Sequence, residues 1–347
     1  QERQGSVTSH DFHNLKRLKL VNIPKLKKWH GDGTINLLPH LQDLTVIDCP
    51  ELLELPLSQS TSSQFQQSVV CFPELREIAI LGCPKLLSFP PIPWTNSLCY
   101  VSIKGVDSGF EMLNYSKDEQ SNSRLNITGK DAPDSMFWNV LDFNNLTELQ
   151  ELDITKCPPI SLDHLKRLTC LKTLQITHSG SILLPVDSEN EVKYNLLVEE
   201  LKINSCGASG RELTQVLSHL PKLSILVIRD CQKVEGLGVA EQRTIPTSES
   251  SLSPSTNEAA RAPTTRLQQQ TGEAEEMETA VAADDGLLLL PSKIKELQIE
   301  GCRELSLDGG GIHGLLSLQS LKIYDCPKLL CSSSSSYSPF PTSLQSL

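Results

Sequence analysis

Apolar residues return along this chain in one short phrase. Its clearest copy, Leu318-Gln-Ser-Leu321-Lys-Ile323-Tyr-Asp-Cys326-Pro-Lys-Leu329, reads L-x-x-L-x-L-x-x-C-P-x-L. Leu321 and Ile323 alternate with Lys322 and Tyr324, the period-two signature of a strand with one buried face. Pro327 has no N–H for a ladder and stops the strand. Copies begin at Leu15, Leu41, Leu75, Leu98, Leu149, Leu171, Val198, Leu223, Ile294 and Leu318. Eight residues after each start stand Ile23, Cys49, Cys83, Val106, Cys157, Ser179, Cys206, Cys231, Cys302 and Cys326. Seven of the ten are cysteine in a chain with 11 cysteines, so the register is not an accident of composition.

One such strand cannot bury its apolar side alone, whereas copies stacked side by side can. Most starts lie 22 to 27 residues apart, within the span of leucine-rich repeats. The pattern therefore predicts one α/β leucine-rich-repeat solenoid over residues 1–347, with about 11–12 repeats. A curved parallel sheet would form the concave face, with mostly irregular returns and a few short helices on the convex face. A degenerate copy, Asn122-Ser-Arg-Leu125-Asn-Ile127, fits the long step from Leu98 to Leu149. Residues 107–121 are polar, and no periodicity is read in them. Leu162, Leu165 and Leu168 share one helical face, as do Leu213, Val216, Leu217 and Leu220. Ser209 and Glu212 have the spacing of a capping box for the second helix. Phe89-Pro-Pro-Ile-Pro-Trp94 reads as an extended return, because proline breaks a helix. Residues 237–286 are rich in Ser, Thr, Gln, Glu and Ala, with nine acids and three arginines. They are expected to be a disordered acidic insertion, unable to bury enough surface to offset ordering entropy.

Charge and cysteine usage narrow the class. The net charge is −11, which offers no basic stripe for nucleic acid. No apolar run approaches the length of a membrane span. Seven cysteines at one template position suggest free core thiols in a reducing, cytoplasmic setting. Neighbouring coils about 4.8 Å apart would also let a pair such as Cys206 and Cys231 bridge if oxidised. The chain starts at Gln1 and stops within a copy opening at Leu344, so it reads as a fragment of a longer protein.

No phosphate-binding loop, dinucleotide fingerprint, zinc-protease helix or kinase signature occurs, so no enzyme is expected and no cofactor either. Gly207-Ala-Ser209-Gly210 approaches a nucleophile elbow, but the helix-cap reading of Ser209 explains it better. What remains is a surface. The third, fifth, seventh and eighth template positions point away from the core and stack into one face. Its candidate protein-binding residues are Arg17, Lys19, Asp43, Tyr100, Lys104, Asp153, Lys156, His178, Lys202, Arg229, Asp230, Glu300, Lys322, Tyr324 and Asp325. Mixed charge with two tyrosine anchors suits a protein partner better than a phosphate backbone.

Cys49-Pro-Glu-Leu52, Cys83-Pro-Lys-Leu86 and Cys326-Pro-Lys-Leu329 follow L-x-x-L-x-L strands, Phe72-Pro-Glu-Leu75 opens a repeat, and Pro24-Lys-Leu26-Lys-Lys-Trp29 closes one. In these motifs and in its uneven repeat lengths the chain resembles the C-terminal repeat region of plant nucleotide-binding leucine-rich-repeat disease-resistance proteins, the coiled-coil class common in cereals. The resemblance implies an intracellular immune receptor that recognises a pathogen effector or a guarded host protein. It also implies contact with the receptor's own nucleotide-binding domain. ADP or ATP would belong to that missing upstream domain and to no residue of this chain. The alternative is the substrate-recognition repeat domain of an F-box ubiquitin-ligase adaptor, a family that tends to keep a helix in most repeats. An upstream F-box would decide for it.

Overall fold

A computed structural model describes residues 14–28, 38–59, 69–70, 72–86, 89–120, 122–130, 136–184, 194–240, 285–307, 311–329 and 340–345. The strands, in chain order, are β1 (Arg17–Val21), β2 (Asp43–Ile47), β3 (Ser58–Gln59), β4 (Val69–Val70), β5 (Glu77–Cys83), β6 (Tyr100–Val106), β7 (Phe110–Lys117) and β8 (Ser123–Gly129). They continue with β9 (Glu151–Thr155), β10 (Thr173–Thr177), β11 (Glu200–Asn204), β12 (Ile225–Arg229), β13 (Gly236–Val239), β14 (Leu287–Leu290), β15 (Glu296–Glu300) and β16 (Ser320–Tyr324). Two short helices, α1 (Leu162–Arg167) and α2 (Gly210–Ser218), lie among the returns.

Twelve strands form one sheet in the order β1-β2-β5-β6-β7-β8-β9-β10-β11-β12-β15-β16. The repeat solenoid read from the alternation is thus the architecture. Register puts Leu18, Leu44, Ile78, Val101, Tyr115, Leu125, Leu152, Leu174, Leu201, Leu226, Leu297 and Leu321 in a single column. From Leu44 onward every member of that column is buried. A second column two residues on, from Leu20 through Ile203 to Ile323, runs beside it. Parallel pairing of identical phrases keeps each apolar residue over its equivalent, which is why one-residue slips are excluded.

The sheet is not wholly parallel, a correction to the expected topology. β7 pairs antiparallel with both β6 and β8. Residues 107–121 were read as lacking periodicity, yet Phe110, Leu113 and Tyr115 are buried there while Glu111 and Ser116 are exposed. Asp107-Ser-Gly109 turns the chain between β6 and β7, so two strands are added without returns behind them. The back layer confirms the skip. Ile92, in the return after β5, bridges directly to Leu141, in the return after β8. Phe89, Phe110, Phe137, Trp138 and Phe143 crowd the space between, with Phe89 and Phe110 centroids 6.5 Å apart and Phe137 edge-on to Trp138 at 4.9 Å. Large rings fill what an extra return would occupy, and the Trp138 indole donates to Pro159 O at 3.0 Å.

Most returns are irregular, and α1 and α2 are where the leucine spacing put helices. Ser209 accepts from the Glu212 N–H while Glu212 Oε2 accepts from the Ser209 N–H, the reciprocal box expected. Leu213, Val216 and Leu217 turn inward. The ends of the acidic insertion differ from the expected 237–286. Leu237 to Val239 belong to β13, which pairs in parallel with β14 behind the main sheet. Residues 241–284 lie outside the described residues, as do Trp29 and residues 332–336.

Cys49, Cys83, Cys157, Cys206, Cys231 and Cys302 are free and buried, and Cys326 is half-buried. Each fills the turn after its strand, and the thiols of Cys157 and Cys231 donate to the carbonyls two residues back, Thr155 O and Arg229 O, both at 3.3 Å. Burial pushes the thiols of Cys157 and Cys231 up to about 12 and that of Cys302 to about 11. An unfolded thiol ionises near 9, so above that pH the unfolded chain releases protons that the folded chain retains. Stability is therefore complete below about pH 9 and falls as pH rises toward 12. Urea midpoints followed by circular dichroism should decline across that window. The slope should be shallower for Cys157→Ala with Cys231→Ala; parallel curves would exclude the thiols as the cause.

Candidate protein-binding face

Residues between the buried columns point to the other side of the sheet and form three parallel rows. The first holds Arg17, Asp43, Glu77, Tyr100, Arg124, Glu151 and Glu200, the second Lys19, Asp153, Gln175, Lys202 and Lys322, the third Lys104, Asn204, Arg229, Glu300 and Tyr324. Eleven of the sequence-derived candidates thus stand on one face, as strand alternation requires.

The other four, Lys156, His178, Asp230 and Asp325, do not. All have positive φ, close to +50°, as do Asn22, Asp48 and Ser205, and glycines 82, 105 and 301 complete the column. The eighth template position is left-handed in all ten clear copies, and that backbone breaks the extended alternation that sets side chains on the face. The backbone N–H still serves the ladder: that of Lys156 donates to Thr177 O at 2.9 Å and that of Asp230 to Glu300 O at 2.8 Å.

Ion pairs cross-link the face, three along its rows and one, Lys202 with Glu200, within β11. Arg17 Nε lies 2.8 Å from Asp43 Oδ2, Arg124 Nε 2.6 Å from Glu151 Oε2, Lys202 Nζ 2.9 Å from Glu200 Oε1, and Arg229 Nε 2.9 Å from Glu300 Oε2. These pairs are substantially exposed, so each contributes little to stability and can exchange partners. Asp153 is different. Desolvation raises its carboxyl above the usual range against the opposing pull of Arg124 and Lys202. Its Oδ2 accepts from Gln175 Nε2 at 3.3 Å, while Oδ1 is enclosed with no hydrogen-bond partner among the described residues. An enclosed acceptor without a donor costs free energy.

Several face residues escaped the sequence reading. Met112, Asn114 and Ser116 came with β7, and Ser102 donates to Asn114 Oδ1 at 2.9 Å. Alternation of Phe110, Leu113 and Tyr115 around the Asp107-Ser-Gly109 turn was the signal for them. Arg124 and Gln175 were recoverable from register alone, by pairing with Glu151 and Asp153.

Tyr100 and Tyr324 are exposed, and so is Val21 at the end of β1. Among the described residues no helix is long and apolar enough to cross a membrane, and no group of three or more His, Cys, Asp or Glu side chains could hold a metal ion. The face presents charge of both signs, exposed aromatic surface and two enclosed acceptors without a donor among the described residues, Asp153 Oδ1 and Asn204 Oδ1. Compared with known families, curated proteins and solved structures, the chain matches none.

Proposed function

We propose that this chain is the recognition and autoinhibitory repeat region of an intracellular plant immune receptor, and that its outward strand face binds a protein. The partner is a pathogen effector or a guarded host protein and, in a full-length receptor, the chain's own nucleotide-binding domain. The exposed face carries the binding part of this reading: ion pairs of both signs that can exchange partners, with Tyr100 and Tyr324 exposed beside them, suit a partner that brings complementary charge and apolar surface. The immune assignment rests on the Cys-Pro-x-Leu strand endings and the uneven returns. An F-box adaptor would favour a helix in most returns, and among the described residues two short α-helices are found.

The test begins with proteins recovered by screening the chain against secreted pathogen proteins and their host targets. Charge reversal with Lys202→Glu and Arg229→Glu should weaken binding about tenfold or more, since both side chains stand on the face, half exposed. Calorimetry measures the affinity, and melting curves show that the variant still folds. Unchanged affinity in a folded variant would reject the face.

A further inference from the structure

A cleft of about 580 Å³ opens at the end of three consecutive coils, on the edge of the sheet and away from the face above. Lys130, Lys156, Pro158, His178, Gly180 and Ser181 line it. Register explains how they meet. Thr128, Thr155 and Thr177 are neighbours across β8, β9 and β10, so the residues that leave those strands emerge side by side, about 4.8 Å apart.

One of those residues is a costly choice. Lys156 and His178 each have φ of +52°. The left-handed region penalises a side chain by about 1–2 kcal/mol, and Gly, Asn, Asp and His are the residues enriched there, which leaves Lys156 as the strained one. The rest of the column follows that preference at Asn22, Asp48, Gly82, Gly105, Asp230, Gly301 and Asp325, with Ser205 the other exception. The two positions of the column that carry a basic or imidazole side chain are adjacent, exposed, and line the same cleft. Lys130 joins them from the preceding coil. Two carboxylates hold part of this lining in place: Asp107 lies 3.7 Å from Lys130, and Glu212, whose other oxygen closes its capping box, accepts from Ser181 at 3.4 Å, so an anion takes those two donors in exchange for these contacts.

We infer that this cleft binds a phosphate-sized oxyanion, with Lys130, Lys156 and His178 supplying charge-assisted donors and the Ser181 hydroxyl a further one. The anion is either a free phosphate or a phosphate carried on a side chain. This inference does not rest on the protein-recognition reading, because it concerns different residues on a different surface.

The test uses the full chain and inorganic phosphate. Wild type should bind it saturably in calorimetry at constant ionic strength, with chloride giving no signal. The informative variant is Lys156→Gly with His178→Asn, because both replacements accept the left-handed backbone. Its melting temperature should equal or exceed that of wild type while its phosphate affinity falls by about tenfold or more. A phosphoserine peptide that binds more tightly than inorganic phosphate would place the anion on a macromolecule, and the reverse order would make it a free ion; either supports the site. Absence of saturable phosphate binding by wild type, or equal affinity in the folded variant, overturns it.

Discussion

Leu226→Ala should destabilise the array by about 2–5 kcal/mol, the range for truncating a fully enclosed leucine. Leu226 is 0% exposed and lies between Leu201 and Leu297 in the buried column. Each coil of such a stack is stabilised by its two neighbours only, so a cavity at β12 weakens both junctions and separates the coils before it from those after it. The same truncation at Leu18 should cost distinctly less, because among the described residues β1 pairs with β2 alone and its side chains are half-buried or exposed. Urea unfolding followed by circular dichroism would compare the two. A broad or two-step transition for Leu226→Ala beside a nearly unchanged one for Leu18→Ala is the expected pair of curves, and equal losses would mean that the stack behaves as a single globular core.

Gly301→Ala should cost more than a surface substitution for two separable reasons. Gly301 has φ of +66°, where a side chain is penalised by about 1–2 kcal/mol. An added Cβ would also lie 2.2 Å from Asp230 Oδ1, so that carboxylate must move. Asp230→Ala removes the obstacle but leaves the backbone penalty. In a double-mutant cycle the loss at Gly301 should therefore shrink by about 1 kcal/mol when Asp230 is already alanine. Additive losses would show that the backbone alone requires glycine. Asp48 and Gly82 repeat the arrangement, with the added Cβ 2.4 Å from Asp48 Oδ1, and should give the same cycle.

What could be read from the residues alone follows from how the signals are carried. The leucine and isoleucine columns were legible because period two and a cysteine anchor coincide in each copy, and both survive irregular spacing. The capping box at Ser209 was legible because it is a local contact. β7 was not, since an antiparallel strand needs neither the cysteine nor the repeat length, and its Phe110, Leu113 and Tyr115 sit among polar residues. β13 was hidden for another reason: Gly236 and Gly238 carry no strand signal, and only the leucines of β14, some fifty residues away, give them a partner. At Lys156, His178, Asp230 and Asp325 the position was found and its direction misjudged. Alternation predicts where side chains point only while the backbone remains extended, and a left-handed residue ends that rule. The Asn, Asp and Gly choices elsewhere in the column are the compositional trace of that turn.

The skipped returns behind β7 have a geometric result. Two strands widen the front by roughly 10 Å, at about 4.8 Å each, while the back advances by a single bridge from Ile92 to Leu141. Bricks laid on one side of an arch and omitted from the other straighten it, so any curvature of the stack is relieved at this keystone. A ligand spanning the joint would meet two arcs of different tilt, and shortening the hairpin would change the angle between them without altering a single contact residue on either arm.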